Sequence, residues 1–189
     1  MKGSSRTRST QAFRLCATSV ALSILTVALF ARATAGQGSR GLTPDLGNCQ
    51  NLEVLPGNKV FYHVYAVGVQ IYRWNGTSWS FVEPQAVLSA NPRVAGIVGT
   101  HYAGPTWESL SGSKVIGVVE DRCTPDPDDI QWLRLRAVSS EGPGPFGDVT
   151  FIQRLNTSGG IAPTAPGTTP GELASVPYTT EYYFYREHP

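Results

Sequence analysis

Residues 59–73 read KVFYHVYAVGVQIYR. Val60, Tyr62, Val64 and Ala66 fall on one phase of a two-residue period, and Phe61, His63, Tyr65 and Val67 on the other. Val69, Ile71 and Arg73 carry the pattern on after Gly68. A period of two in β-branched and aromatic residues is the mark of a β-strand; an amphipathic helix repeats every 3.6. Asn75-Gly76 sits between this run and another of the same kind, the strongest short signal for a hairpin.

The same period returns further along. Leu133, Leu135 and Ala137 oppose Arg134 and Arg136 within 131–138. Val149, Phe151 and Gln153 alternate with Thr150, Ile152 and Arg154, and 182–185 is aromatic and strand-like. After the N-terminal segment no stretch of twelve residues has helical periodicity. Short strands joined by Gly, Pro, Asn and Ser predict an all-β fold, a single antiparallel β-sandwich or barrel domain over residues 46–189. Residues 159–177 are rich in Pro, Gly and Thr without a regular period. They read as a long loop, either functional or mobile.

The N-terminus reads as an address. Lys2, Arg6, Arg8 and Arg14 lead into an apolar run, Leu15–Phe30, and then to Ala33 and Ala35. A basic head, a short apolar stretch and a small-x-small site predict a signal peptide over 1–35, cleaved after Ala35. The alternative is a retained anchor, but the run is shorter than the roughly 20 residues a spanning helix needs. Residues 36–45 are then a flexible leader, and the expected location is secreted or periplasmic, with no stable membrane insertion after cleavage. Cleavage removes Lys2, Arg6, Arg8, Arg14 and Arg32 from a chain of net charge +1 and leaves a mildly acidic protein. No basic cluster remains to bind nucleic acid. Cys49 and Cys123 are the mature cysteines, and in an oxidising compartment they are expected to pair.

Several motifs match chemistry by letter alone. Gly142-Pro143-Gly144-Pro145-Phe146-Gly147 has the G-x-G-x-x-G spacing, but a strand follows it and two prolines remove backbone donors. A dinucleotide site needs a helix N-terminus there, so this reads as a turn. Ser111-Gly112-Ser113-Lys114 spells S-x-x-K without a helix to bring the lysine over the serine, and reads as a hairpin turn. His63, His101 and His188 are widely spaced, so no metal site is expected, and no cofactor motif is present.

The richest candidate is His101-Tyr102-Ala103-Gly104-Pro105-Thr106-Trp107-Glu108. Gly-Pro forces a turn, so His101, Tyr102, Trp107 and Glu108 could converge into a ligand site, with Arg154 as a charged partner and the 159–177 loop as cover. His101 and Glu108 would be an acid–base pair. The aromatic rings would instead form a platform for a sugar or another ring. The competing reading is a core corner, with Trp107 buried and His101 bonded to backbone.

These residues also carry a resemblance. Gly68-Val69-Gln70-Ile71-Tyr72, the 101–107 segment, Gly112-Ser113-Lys114-Val115 and Trp132-Leu133-Arg134-Leu135 come in order. Ile152-Gln153-Arg154, Thr157-Ser158-Gly159-Gly160 with Pro163, Val176-Pro177-Tyr178 and Tyr182-Tyr183-Phe184-Tyr185 complete the set. Together, from about Val60 to Tyr185, they resemble the domain of unknown function 3455 family of exported bacterial and fungal proteins. The resemblance implies one exported domain and no particular activity. Some members carry a malate dehydrogenase label, for which this chain has no dinucleotide fold. Trp74 stands where relatives often have a cysteine, and 164–170 lacks a second one. Ser111 replaces a usual acidic residue.

Three functions follow in order of expectation. The first is a module binding a small molecule or glycan. The second and third are a structural envelope component and an enzyme using His101 and Glu108. A cavity holding His101 with a strongly displaced pKa would point to an enzyme, an apolar cavity to binding, and no cavity to a structural role.

Overall fold

The computed structural model describes residues 42–188. The expected signal peptide and the leader up to residue 41 lie outside the described residues. Eight strands follow one another: β1 (Asn58–Trp74), β2 (Trp79–Ser89), β3 (Ile97–Tyr102), β4 (Thr106–Ser109), β5 (Lys114–Cys123), β6 (Trp132–Glu141), β7 (Phe151–Gly159) and β8 (Leu173–Glu187). Each pairs antiparallel with the next, and β8 pairs back onto β1, closing a barrel. Of the two expected all-β architectures, the chain adopts the barrel.

The two-residue period sets the inside and the outside. Along β1, Tyr62, Val64, Ala66, Gly68, Gln70 and Tyr72 share the inward phase, and Val64 and Ala66 are fully buried in the main core. Leu133 and Leu135 from β6, Ile152 from β7, and Tyr182 and Phe184 from β8 meet them there. Register shifts interrupt the ladders at 60/62, 71/72, 88/89, 116/117, 119/121 and 155/158. Such bulges increase local twist and bend a sheet, which closing it requires. The first one has a visible consequence: Val60, expected in phase with Tyr62, packs instead on the outer cluster.

Asn75-Gly76 makes the expected hairpin. Asn75 Oδ1 accepts from the backbone of Thr77 and Ser78, both at 2.9 Å, and Gly76 supplies a φ of 99°. The long loop is shorter than expected. Residues 173–177 belong to β8 and pair with 69–73, leaving 160–172 as the connection. That connection is pinned: Tyr72 donates to the Gly160 carbonyl (2.6 Å), and Trp79 Nε1 to that of Ala165 (2.9 Å).

The barrel's two ends differ. At the level of Tyr62, Phe146 from the β6–β7 loop inserts fully buried, with its ring 4.7 Å from Phe184 and 5.9 Å from Tyr62. The glycine-rich motif is therefore the arm of a plug. Its seat is the β4–β5 turn, where Ser113 Oγ accepts from Phe146 N (3.1 Å) and lies 2.8 Å from Ser109 Oγ. At the other end, near Gln70 and Tyr72, the interior is open.

A strap covers part of the outside. The segment around a single 3-10 turn, Gln50–Leu52, buries Leu46, Cys49 and Leu52 against Phe151, Leu155, Tyr183 and Tyr185. Gln153 Nε2 donates to the Leu52 carbonyl (2.6 Å), and the Arg134 guanidinium to the carbonyl of Glu53 while pairing with Asp121. Cys49 and Cys123 are joined, with their Cα atoms 5.7 Å apart.

Candidate functional site

His101 and Trp107 face each other directly across the β3–β4 ladder, and the intervening turn is made by Gly104 with φ 101°. Their rings stack at 4.4 Å and 15°. Both are buried, and Tyr182 meets each edge-on at 5.1 and 5.2 Å. Gly117, on the inward phase of β5, leaves room for the indole: a Cβ there would sit 3.3 Å from the Trp107 ring.

The period that gathers these rings divides the rest of the expected cluster. Tyr102 and Glu108 are the next residues along their strands, so they point to the opposite face. There the Tyr102 hydroxyl donates to Glu108 Oε2 (2.6 Å), and that bond pushes the phenol's pKa up. The acid–base pair of His101 and Glu108 is thus not assembled. Arg154 does reach the inside, from β7, and the structure brings it together with His101 and Trp107.

These three residues belong to a cavity of about 420 Å³ in the open end of the barrel. Its walls are mostly apolar and include Tyr72, Val119, Leu133 and Leu135. Arg122 and Ile161 also line it; Ile161 is the contribution of the 160–172 connection, whose remainder packs elsewhere. No acidic side chain lines it. Arg154 Nε and Nη2 both donate to the Gln131 carbonyl, at 3.1 and 2.8 Å. Four buried polar atoms in and beside the cavity lack a hydrogen-bond partner: Gln70 Nε2, Trp107 Nε1, and the hydroxyls of Tyr178 and Tyr182. The two hydroxyls lie near each other and near Gln70 and Arg154, but none of these approaches reaches hydrogen-bond geometry. Buried polar atoms usually find partners, so such a group of orphans marks a place where something else can supply them.

The histidine is held neutral. Desolvation lowers its pKa to about 3, opposed by the bond to the Thr106 carbonyl and helped by the nearby Arg154 charge. Nδ1 lies 2.8 Å from that carbonyl, which can only accept, so Nδ1 carries the proton. A base with a pKa near 3 is poorly matched to proton transfer at neutral pH. The cavity thus holds a histidine with a strongly displaced pKa, as expected of an enzyme, but the downward direction leaves a neutral imidazole and not a general base at neutral pH. Burial shifts Tyr182 the opposite way, raising its pKa, and it stays a neutral donor.

A pH effect follows. An unfolded histidine titrates near 6.5, so below that pH the unfolded chain takes up a proton that folded His101 refuses. The site's contribution is intact above about pH 6.5 and is lost as the pH falls toward 3. Between pH 7 and 5 the loss is about 2 kcal/mol. Urea unfolding of the wild type and His101→Gln at both pH values checks this. The variant's stability is expected to fall less than the wild type's by about that amount; parallel decreases would contradict it.

Gln70, Tyr72 and Tyr182 enter the sequence reading only as letters of the strand patterns and family motifs, without a site role. A signal existed, since Gln70 is a polar residue on the inward phase of an otherwise apolar face. Among the described residues no group of three or more His, Cys, Asp or Glu is placed to hold a metal ion, and no helix is long and apolar enough to cross a membrane.

The pattern of one family, described as Protein of unknown function (DUF3455), matches residues 55–186. The chain belongs to this family. The match takes in the cavity and nearly the whole run of strands, and it begins beyond Cys49 and the strap's 3-10 turn. Within the DUF3455 span, Cys123 is therefore tied to a cysteine outside it. No curated protein matches the chain, and no solved structure does.

Proposed function

We propose that this domain is an exported binding module that holds one small molecule inside its barrel. The observation that carries the reading is the cavity itself: about 420 Å³, apolar-walled, open at one end, and furnished with buried polar atoms that lack partners. Small-molecule sites are typically concave and apolar, with a few convergent polar groups. An eight-stranded barrel is about the size that can hold one small ligand. The bonded Cys49–Cys123 pair supports a protein that works outside a reducing compartment.

A glycan fits these walls less well. Sugar hydroxyls call for acceptors as well as donors, and no carboxylate lines the cavity. Trp107 stacks on His101 within the core and does not offer a free platform. His101, held neutral by burial, is poorly suited to act as a general base at neutral pH.

The test uses a neutral fluorescent probe, N-phenyl-1-naphthylamine, titrated into the disulfide-bonded domain. Saturable enhancement at one equivalent per chain is expected. Val119→Phe, which adds bulk from the cavity wall, should weaken it at least tenfold. Absence of saturable binding, or binding indifferent to Val119→Phe, would remove the reading.

A further inference from the structure

We infer that the ligand is an organic carboxylate with an apolar or aromatic body, its anionic group taken by Arg154. This rests on the barrel cavity being a binding site, and it adds what the site selects.

The charge inventory is one-sided. Two arginines line the cavity, Arg154 partly buried and Arg122 exposed. The histidine is neutral, and no aspartate or glutamate lines the walls. Among the described residues Arg154 forms no salt bridge. Its bonds to the Gln131 carbonyl use Nε and Nη2, which fixes the guanidinium plane and leaves further N–H donors on the fork. Its charge acts on Tyr72, His101, Tyr178 and Tyr182 together, so it sits centrally among the aromatic side chains. A cation in an apolar cavity without a counter-ion is costly. An anionic ligand would supply that counter-ion.

The orphaned polar atoms point the same way. Gln70 Nε2 and Trp107 Nε1 can only donate, and the Tyr182 hydroxyl stays protonated. All three are nine-tenths buried or more. The cavity offers donors and a positive charge, set against neutral acceptors such as His101 Nε2; the complement to the charge and the donors is an acceptor group that carries a negative charge. Arginine's planar fork matches a carboxylate in two parallel bonds. A single central guanidinium suits a singly charged head better than a doubly charged phosphate. The remaining walls, Val119, Leu133 and Leu135 among them, suit an apolar or aromatic body.

Calorimetry at pH 7.5 on the disulfide-bonded domain tests this with matched pairs: octanoate, 3-phenylpropionate, 1-naphthoate and indole-3-acetate, each against its primary amide. At least one acid is expected to bind tenfold or more tightly than its amide, and added salt should narrow the gap. Arg154→Gln is expected to bring that acid down to the level of the amide, with the variant's fold checked by circular dichroism. The wild-type comparison stands even where the variant does not fold. Amides that bind as well as acids would overturn the anion preference and leave the cavity reading in place. No binding by any acid, while the neutral naphthylamine binds, would do the same. If neither acids, amides nor the naphthylamine bind, both readings fall. A preference for acids that survives Arg154→Gln would remove Arg154 from its role and with it this inference.

Discussion

Removal of the Cys49–Cys123 bond is expected to cost about 4 kcal/mol of stability in the chain-entropy treatment of a cross-link. The bonded residues are 74 apart in sequence, so the bridge closes a long loop spanning the strap and β1 to β5. Folded packing adds a reason of its own. Cys49 is 1% exposed, and the strap beside it covers Phe151, Leu155, Tyr183 and Tyr185 on the outer face of β7 and β8. Without the bond, the strap is held by its apolar contacts and by side-chain bonds to the carbonyls of Leu52 and Glu53. For a domain of this size the loss corresponds to a fall in melting temperature of roughly 10 °C. Thermal unfolding of the oxidised wild type against the double variant Cys49→Ala/Cys123→Ala measures it. Limited proteolysis of the variant should cut first between 42 and 57, ahead of β1. Equal melting temperatures would show that the strap contributes nothing through its covalent tie.

The strands were legible because a half-buried strand writes its burial into alternate residues. Leu133 and Leu135 against Arg134 and Arg136 is the clearest case: the leucines are in the core, and both arginines lie outside, paired with Glu120 and Asp121. The same rule could have corrected the site. Once His101–Tyr102 lies on a strand, neighbours face opposite ways, so the side chains of His101 and Tyr102 point away from each other, as do those of Trp107 and Glu108. Along a strand, adjacency in sequence puts side chains on opposite faces. Two inward-phase polar residues, Gln70 and Arg154, were better guides to a cavity. Arg154 stands out in the sequence by its charge; Gln70, neutral and set within an apolar motif, does not.

Other features were beyond the pattern. Barrel closure depends on β1 pairing with β8, strands from opposite ends of the domain, and on bulges that no local composition marks. The bulge at 60/62 reverses the facing of Val60 for that reason. The start of β8 was hidden by its composition. Pro177 pairs opposite Val69 inside a segment whose prolines, glycines and threonines read as loop. The packing beside the cavity depends on a missing side chain, that of Gly117, whose space the Trp107 ring fills.

The plug carries the second large effect. Phe146→Ala is expected to destabilise the domain by about 3–5 kcal/mol, the range for removing a fully buried aromatic ring from a core. The residue is in a connection, where substitutions are usually tolerated, but its surroundings are those of a core. Its ring contacts Tyr62 and Phe184, and its backbone N–H is bound by the buried Ser113 hydroxyl. The loop has little freedom to refill the space. A Cβ on Gly144 would lie 2.5 Å from Ser111 Oγ and 2.7 Å from Ser113 Oγ, and one on Gly147 would lie 2.2 Å from the Gly142 carbonyl oxygen. The arm is therefore folded tightly onto its seat, and the cavity left by the ring would persist. Phe146→Leu keeps much of the apolar volume and should cost less than Phe146→Ala. Urea denaturation of both variants at pH 7 decides the matter, with the midpoint falling in the order wild type, leucine, alanine. A loss below about 1 kcal/mol for the alanine variant would mean that the arm relaxes into the space, and that Phe146 rests on the barrel's end without closing it.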